Sequence, residues 1–329
     1  MRTREFGRTD QQVSEIGFGS WGIGGGQWVD VEDGEALGAL HAALDLGVTF
    51  IDTADVYGDG RSEKLIAQVL RERGGPRPFV ATKAGKRLPA QEVAGYTPEN
   101  LRIWIERSLQ NLEAETLDLV QLHCPPTDLF YHPEVFAALD DLVKDGKIRN
   151  YGVSVEKIEE AIKAIEYPNV ASVQIIFNIL RQRPAELFFE LARKKKVAVI
   201  ARVPLASGLL SGKFNSQSRF DPADHRNFNR DGQAFDVGET FSGVPFEKGL
   251  EIVERIRPLV GDKATMAQFA LRWILMHEAV TVVIPGARTV AQSRGNAEAD
   301  DLPPLSPEIM AELKAIYDHD VKPYVHQRW

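Results

Sequence analysis

The chain has 329 residues, of which 43% are hydrophobic and 26% are charged, the composition of an ordinary globular protein. Its net charge is −8 and it has no long basic run beyond the short lysine stretch at 194–196, which argues against a nucleic acid or an anionic membrane as a partner. The single cysteine, Cys124, excludes an intramolecular disulfide and a multi-cysteine metal site, and we expect no bound metal.

The sequence carries no recognisable targeting or membrane signal. Its first ten residues contain no apolar segment of the kind found in a signal peptide. No stretch approaches the roughly 18 consecutive apolar residues of a membrane helix. These patterns predict a cytoplasmic protein, and they leave its oligomeric state open.

Apolar strand-like runs alternate with helix-like segments along the chain. The predicted pairs, strand first, are 13–20 with 34–47, 48–54 with 62–73, 78–84 with 97–112, 117–123 with 133–146, 148–155 with 156–165, 170–178 with 184–196, 197–204 with 264–277, and 279–287 with 289–298, followed by a helix at 306–320. Many of the strands are almost continuously apolar, as parallel strands covered by helices are. Eight such pairs without a composition break predict an α/β fold, a (β/α)8 TIM barrel that forms one domain over residues 1–329.

Two segments fall outside this alternation. Residues 213–246, after the seventh predicted strand, lack periodicity, and a loop of this length is usually a functional lid or disordered. Residues 322–329 extend beyond the last predicted helix. This extension could cover the barrel, contact another subunit or remain free, and the sequence does not decide between these possibilities.

The glycines of residues 17–22 spell G-x-G-x-x-G, the fingerprint of a Rossmann dinucleotide site. That fingerprint needs a helix directly after the glycine turn. Gly24, Gly25 and Gly26 would break such a helix at once. We therefore interpret the segment as a flexible loop after the first barrel strand, on the face where backbone can approach a ligand closely.

Four polar side chains of different chemistry stand at or just after the ends of neighbouring predicted strands. Asp52 and Tyr57 follow the second strand, Lys83 ends the third and His123 ends the fourth. Chemistry in a barrel is carried by the carboxyl ends of the strands, so we expect the four to converge. An ammonium lowers the pKa of a neighbouring phenol, which is ordinarily near 10, and a carboxylate fixes the ammonium. Such a group could act as the general acid for reduction of a carbonyl by hydride, or as the base for the reverse reaction.

Each of the four residues also has a purely structural interpretation. Asp52 and Lys83 could form only a buried ion pair, Tyr57 could pack at the rim, and His123 could be a turn residue beside Cys124. We favour the catalytic interpretation because all four side chains are predicted to meet at one place.

With these four residues in place, the sequence resembles the aldo-keto reductases over essentially its whole length. The matching segments are 17–25, 50–63, 81–83, 117–123, 144–154, 204–213 and 284–296, and the most specific are FIDTADVYGDGRSE (50–63) and KDGKIRNYGVS (144–154). The resemblance implies the barrel fold and an NADPH cofactor bound in an extended form without a Rossmann domain. It also implies that Tyr57 is the acid/base, that Lys83 and Asp52 tune it, and that His123 orients the substrate.

The resemblance further implies a set of cofactor-binding residues. Ser154 and Gln174 would bind the nicotinamide carboxamide, and Arg288 would bind the 2′-phosphate, since a guanidinium suits phosphate geometry. The pyrophosphate would be cradled by Leu205, Ser207, Gly208 and Lys213, and the adenosine end would be held by Gly286, Ala287, Arg288, Gln292 and Asn296. The whole implied set is Ser20, Trp21, Asp52, Ser154, Gln174, Arg202, Pro204, Leu205, Ser207, Gly208, Lys213, Gly286, Ala287, Arg288, Gln292 and Asn296.

Two positions depart from the family pattern. Val155 follows Ser154 where many members have asparagine, which removes one amide contact. Arg202 stands where many members stack a tyrosine on the nicotinamide. A guanidinium can stack on a ring, but its positive charge predicts a preference for the reduced, neutral cofactor.

Aromatic residues are expected at the mouth of the barrel, where they predict an apolar or aromatic aldehyde as substrate. They are Trp21, Trp28, Phe130, Tyr131, Phe220, Phe228, Phe235 and Phe241. The alternative is that these rings only anchor the long loop. For the function we favour an NADPH-dependent carbonyl reductase acting on a small molecule. The competing hypotheses are a cofactor-binding regulatory subunit with little turnover and an aldolase that uses Lys83 as a Schiff-base nucleophile.

Overall fold

The structure, a computed structural model, describes residues 1–26 and 28–329. Within these ranges the strands are β1 (Thr3–Glu5), β2 (Gln12–Ser14), β3 (Phe18–Gly19), β4 (Phe50–Asp52), β5 (Phe79–Ala84), β6 (Leu117–His123), β7 (Ile148–Ser154), β8 (Val170–Ile176), β9 (Ala198–Arg202) and β10 (Val280–Val283). Strands β3 to β10 form one parallel sheet in chain order. Backbone bridges from Ile16 to Val283 and from Gly19 to Gly286 join the two edges of this sheet. The predicted (β/α)8 barrel is therefore confirmed.

Helices follow the barrel strands, as the alternating pattern predicts. In the described residues they are α1 (Trp21–Gly24), α2 (Asp33–Asp45), α3 (Arg61–Arg73), α4 (Pro98–Asn111), α5 (Pro133–Lys144), α6 (Ile158–Ala164), α7 (Phe188–Lys194), α8 (His225–Phe228), α9 (Phe246–Val260), α10 (Met266–Leu275), α11 (Val290–Ala297), α12 (Pro307–Ile316) and α13 (Lys322–Val325). Several begin with a side-chain cap, such as Thr97, whose oxygen accepts the Asn100 N–H before Pro98 opens α4. Across both described ranges, no helix combines the length and the apolar character needed to cross a bilayer.

An N-terminal hairpin that the sequence patterns did not predict covers one end of the barrel. Strands β1 and β2 pair antiparallel, and the turn between them carries Phe6. The Phe6 ring packs on Phe50 and Phe79 at centroid distances of 5.6 and 4.9 Å. Those two residues begin β4 and β5, so Phe6 fills the barrel at the amino ends of the strands. The opposite mouth, at the carboxyl ends, is the side on which a site forms.

The long loop lies where it was predicted, after β9, but it is not structureless. It contains α8 and two 3-10 turns, at Val237–Glu239 and Phe241–Gly243. The 15-residue helix α9 follows it and was missed, although its buried residues Phe246, Ile252, Val253 and Ile256 recur at helical spacing.

Candidate active site

Strand register brings the predicted residues around one opening. His123 on β6 lies opposite Ser154 on β7, and Ser154 lies opposite Gln174 on β8. Arg202 ends β9 beside the last residue of β8, and Asp52 ends β4. Because parallel strands all point the same way, these side chains share the carboxyl mouth of the barrel.

The Lys83 ammonium is the centre of a buried cluster of oxygen atoms. Lys83 is 1% exposed, and its Nζ donates hydrogen bonds to Asp52 Oδ1 at 2.6 Å, to the Thr53 carbonyl at 2.9 Å and to the Tyr57 hydroxyl at 3.1 Å. A buried charge is costly unless such partners surround it. The structure thus brings Asp52, Tyr57 and Lys83 into direct contact.

Two glutamines hold the second oxygen of Asp52. The side-chain amides of Gln121 and Gln174 donate to Asp52 Oδ2 at 3.2 and 2.7 Å, and the Gln174 amide also lies 3.3 Å from Gln121 Oε1. Gln174 was predicted to bind a nicotinamide carboxamide, but its amide nitrogen is engaged with Asp52 in this structure. Gln121 was not predicted as a site residue, although it shares a strand face with His123.

The acidity of Tyr57 differs from the sequence-based expectation. Burial raises the pKa of Tyr57 to about 12, although the Lys83 ammonium lowers it. The lysine therefore acts in the predicted direction, but burial outweighs it. Burial also opposes the charge on Lys83, yet Asp52 and Tyr57 together hold the pKa of Lys83 above its ordinary value. At neutral pH the pair is a neutral phenol beside a charged ammonium, so the phenol keeps a proton that it can give.

His123 completes the group of four predicted residues. Its ring lies edge-on to the Tyr57 ring, at a centroid distance of 6.0 Å. Burial, and then the positive charges of Lys83, Lys86 and Arg202, hold the pKa of His123 well below its ordinary value. The imidazole is therefore neutral at physiological pH, which suits it to orient a carbonyl oxygen rather than to supply an acidic proton.

Aromatic rings cover the Tyr57 side of the mouth. The Trp21 ring stacks near the Tyr57 ring at 6.3 Å, and Trp28 meets Trp21 edge-on at 5.5 Å. From the long loop, Phe235 and the buried His225 approach the Trp21 ring at 6.3 and 4.9 Å. His225 was not predicted, because a lone histidine in an aperiodic loop gives no signal.

The other predicted mouth aromatics do not meet at Tyr57. Phe220 and Phe241 pack against Phe246 at 5.7 and 4.9 Å and anchor the long loop, which was the alternative interpretation. Phe228 contacts Phe235 at 6.1 Å. Phe130 is fully buried in the outer core, whereas Tyr131 is 66% exposed.

The glycine-rich loop owes its glycines to a close approach of two backbones. Helix α1 is a single turn that ends at Gly24, and Gly25 and Gly26 follow with φ of +79° and +80°. A Cβ on Gly24 would lie 2.8 Å from the Tyr57 backbone carbon, and one on Gly58 would lie 1.9 Å from the Gly24 carbonyl oxygen. The loop is thus pressed against the turn that carries Tyr57.

At the nicotinamide end of the implied cofactor site, two of the predicted residues, Ser20 and Ser154, already have hydrogen-bond partners within the protein. The Ser20 hydroxyl is fully buried, donates to the Asp52 carbonyl at 2.8 Å and accepts from Ser62 at 2.7 Å. Ser20 therefore supports the backbone under the loop. Ser154 Oγ lies 3.5 Å from Cys124 Sγ.

The positive charge of Arg202 is balanced by a neighbouring carboxylate. Its guanidinium forms an ion pair with Glu239 of the long loop and donates to the Val155 carbonyl at 2.8 Å. The predicted preference for a reduced cofactor assumed a free positive charge, and the Glu239 carboxylate balances that charge. Glu239 was not predicted, because nothing in the sequence relates it to Arg202.

The residues implied for the pyrophosphate form a tight turn after β9. Ser207 and Gly208 have φ of 55° and 92°, in the left-handed region. The Ser207 hydroxyl donates to the Glu239 carbonyl at 2.7 Å and accepts the Phe241 N–H at 3.2 Å. The long loop therefore covers Ser207. Pro204 is buried, Leu205 is half-buried, and Lys213 is exposed at the end of the segment.

The residues implied for the adenosine end cluster at the start of α11. The Arg288 N–H donates to Gln292 Oε1 at 2.7 Å, and the Asn296 amide donates to the Gly286 carbonyl at 3.2 Å. Ala287, which directly precedes Arg288, is buried. Arg288 Nη2 reaches the Asp30 carbonyl of the glycine-rich loop at 3.3 Å, while its buried Nε has no hydrogen-bond partner among the described residues.

Comparison with known proteins decides the family. The model of the aldo/keto reductase family matches residues 15–318. The chain belongs to the aldo/keto reductase family. The resemblance seen in the sequence is confirmed, and membership supports carbonyl reduction in general as its chemistry.

Relatives in this family cover nearly the whole chain. Aldo-keto reductase str7 of Strobilurus tenacellus is 31% identical over 97% of this chain and 93% of its own length. A relative from Escherichia coli, 27% identical over 91% of this chain and 93% of its own, is named an NADH-specific methylglyoxal reductase. Another from Arabidopsis thaliana, 26% identical over 96% of each chain, is named a probable voltage-gated potassium channel subunit beta.

Solved structures show the same architecture. Aldo-keto reductase AKR11C1 from Bacillus halodurans superposes with a TM-score of 0.78 at 25% identity, covering 100% of this chain and 99% of that one. The glycerol dehydrogenase AKR11B4 from Gluconobacter oxydans also gives 0.78, at 30% identity over 97% and 96% of the two chains. A Klebsiella pneumoniae aldo/keto reductase in complex with NADP and acetate gives 0.69 at 24% identity, over 96% and 95%, a likeness of fold.

Behind the site lies a buried carboxyl group that no side chain of the described residues pairs with directly. Asp55 is fully buried, and neither of its side-chain oxygens has a hydrogen bond from any residue that the structure describes. Burial and then the nearby Glu63 raise the pKa of Asp55 from 3.8 to about 7, while the charges of Arg87 and Arg107 and the nearby backbone N–H of Val56 lower it. A carboxyl whose pKa is raised by the fold favours folding only while it is protonated.

We therefore expect Asp55→Asn to stabilise the protein at alkaline pH. The contribution of Asp55 to the stability of the wild-type protein should fall as pH rises from about 4 to about 7, because ionisation of Asp55 is easier in the unfolded chain. Asparagine removes this penalty, which is at most about 4 kcal/mol at pH 8. Urea denaturation at pH 5 and pH 8 measures the gain, which should be larger at pH 8.

The matched control is Asp59→Asn. Asp59 is exposed and contacts Arg87 and Arg107 at 2.8 Å each, and the Arg87 hydrogen bond with both arginine charges lowers its pKa. This control should be neutral or slightly destabilising at pH 8. A Asp55→Asn variant less stable than wild type at pH 8 would show that the Asp55 carboxylate is ionised and paired.

Proposed function

We propose that this protein is an NADPH-dependent reductase of aldehydes or ketones, in which Tyr57 is the general acid/base. The observation that supports this most directly is the Lys83 ammonium, which lies 3.1 Å from the Tyr57 hydroxyl and 2.6 Å from Asp52 Oδ1. Family membership supports carbonyl reduction in general. The cofactor choice and the role of each residue are the parts that we propose.

The residues at the mouth fit a nicotinamide dinucleotide. Arg288 offers a guanidinium nitrogen without a partner in the described residues, and Gln292 and Asn296 gather beside it. Ser154 lies at the end of β7, beside His123. When bound, NADPH supplies the hydride that reduces the carbonyl carbon.

The side chains supply the proton and the orientation. The neutral His123 and the Tyr57 hydroxyl would hold the carbonyl oxygen between them. As negative charge develops on that oxygen, Tyr57 donates its proton to it, which contributes roughly 10² to 10⁴ in rate. The Lys83 ammonium stabilises the phenolate that remains, and Asp52 holds the ammonium in place.

The aromatic surroundings indicate the class of substrate. Trp21, Trp28 and Phe235 enclose the Tyr57 side of the mouth with apolar rings. Apolar rings beside a few polar groups favour an apolar or aromatic aldehyde as the substrate.

The electrostatics of Lys83 do not favour the aldolase hypothesis. A Schiff-base lysine must be unprotonated to attack, and such lysines have a lowered pKa. The pKa of Lys83 is raised instead, since Asp52 and Tyr57 outweigh the effect of burial. A regulatory subunit with little turnover would keep the cofactor residues, so turnover itself separates it from the reductase.

Replacing Tyr57 by phenylalanine tests the proposed acid. Tyr57→Phe removes the proton donor and leaves the ring, so kcat for reduction of an aromatic aldehyde should fall about 10²- to 10⁴-fold. Loss of NADPH absorbance measures the rate, and the Kd for NADPH should stay within about threefold because the phenol does not carry the binding energy of the cofactor.

Tyr131→Phe, at an exposed tyrosine, is the control and should keep wild-type turnover. Unchanged turnover in Tyr57→Phe contradicts the proposed acid. Absence of turnover in the wild-type protein across a panel of aldehydes favours the regulatory subunit, and trapping of substrate on Lys83 by borohydride favours the aldolase.

Replacing Arg288 tests the choice of NADPH. Arg288→Ala removes a guanidinium suited to the 2′-phosphate, so the KM for NADPH should rise about 10- to 100-fold while the KM for NADH stays within about twofold. Arg294→Ala, on the exposed face of α11, is the control. An equal rise of both KM values in Arg288→Ala means that Arg288 does not recognise the 2′-phosphate.

A further inference from the structure

The indole of Trp329, the last residue of the sequence, is buried against the lid segment, residues 236–243. Trp329 is 4% exposed, and its N–H donates to both Asp236 carboxylate oxygens, at 2.9 and 3.1 Å. The guanidinium of Arg181, also 4% exposed, lies 4.0 Å from the centre of the ring. Charge-assisted hydrogen bonds and cation–π contacts are strong in such dry surroundings. The indole is therefore a firm attachment point for the lid segment.

The lid segment is shaped to receive this ring. Gly243 lies so close that a Cβ there would stand 2.5 Å from Trp329 Cη2. A Cβ on Gly238 would stand 2.7 Å from both Arg181 Nη1 and Asp236 Oδ1, and 3.1 Å from Trp329 Cε2. Real side chains do not tolerate such contacts without movement, so glycine at both positions permits the indole to sit where it does.

The same short segment contacts the mouth of the barrel through Glu239. The Glu239 carboxylate forms the ion pair with Arg202, and its backbone carbonyl accepts from Ser207 at 2.7 Å. Arg202 also donates to the Val155 carbonyl and lies 3.7 Å from Sγ of Cys124, the neighbour of His123. Trp329 and Arg202 therefore hold the lid segment from either side.

We propose that Trp329 is a positioning residue: it seats the lid segment and so keeps Glu239 on Arg202, where the carboxylate balances the guanidinium beside the nicotinamide. The proposal rests on the proposed function, because it takes Arg202 to face that ring. Without Glu239 the positive charge of Arg202 opposes the cationic ring of NADP⁺ but not the neutral ring of NADPH. Trp329 thereby sets the relative affinity for the two redox forms of the cofactor.

Two measurements on the purified protein test the proposal. Hydrogen–deuterium exchange without cofactor follows the amides of residues 236–243, and calorimetry gives the Kd for NADP⁺ and for NADPH. In Trp329→Ala, exchange of the segment should accelerate about tenfold or more. The Kd for NADP⁺ should rise about fivefold, while the Kd for NADPH should change less than about twofold.

Three further variants make the test specific. Glu239→Gln should give the same selective loss of NADP⁺ affinity, since it removes the balancing charge directly. Gly243→Ala would place a Cβ 2.5 Å from Trp329 Cη2, so it separates the lid segment from the indole while keeping the tryptophan. It should reproduce the effects of Trp329→Ala, and it keeps the proposal testable if Trp329→Ala does not fold. Gln327→Ala, in the same tail but exposed, is the control and should resemble wild type in every measurement.

The results separate the proposal from the function on which it rests. Wild-type exchange rates in both Trp329→Ala and Gly243→Ala would overturn it, because the indole then does not seat the segment. Accelerated exchange with an equal rise of both Kd values would also overturn it, because Trp329 would then have only a structural role. A wild-type protein that binds neither cofactor contradicts the proposed function and the effect on affinity, whereas the exchange rates still decide whether Trp329 seats the lid segment.

Discussion

The Lys83 ammonium is buried beneath the mouth of the barrel, where oxygen atoms of Asp52, Thr53 and Tyr57 accept its three hydrogen bonds. A charge removed from water needs these acceptors, and each one constrains its surroundings. The carboxylate of Asp52 must itself be held, which the amides of Gln121 and Gln174 accomplish from β6 and β8. The contacts of one lysine thus tie three parts of the barrel together.

The same burial decides which group carries the proton. It raises the pKa of Tyr57 to about 12, so the phenol is protonated at neutral pH in spite of the lysine beside it. It also lowers the pKa of His123, with help from the charges of Lys83, Lys86 and Arg202. One group is therefore left with a proton to give, and the other is left to orient the substrate.

The fold was predictable because its signal is local and repeated. Many of the barrel strands are apolar runs, and β6 was predicted with its observed bounds. The convergence of Asp52, Tyr57, Lys83 and His123 followed from their places at strand ends, since the barrel fixes where those ends lie. Strands β1 and β2, with three residues each, are too short to give a periodic signal.

Contacts between distant parts of the chain were not predictable. Gln174 and Asp52 are 122 residues apart, and Trp329 and Asp236 are 93 apart, so no sequence pattern relates them. The sequence predicted a lowered pKa for Tyr57, whereas the pKa in the structure is raised. The difference arises because burial depends on the folded surroundings and outweighs the neighbouring charge. The ion pair in which Glu239 balances the charge of Arg202 likewise depends on how the long loop folds back.

The pH dependence of the wild-type enzyme in both directions tests the central claim most directly. If Tyr57 is the proton donor, kcat for aldehyde reduction at saturating NADPH should be flat from about pH 6 to 9, since the phenol stays protonated throughout. Alcohol oxidation, which needs the phenolate, should rise with pH over the same range. A reduction rate that instead falls through an apparent pKa near 6.5, the ordinary value for histidine, would make His123 the acid and contradict the account.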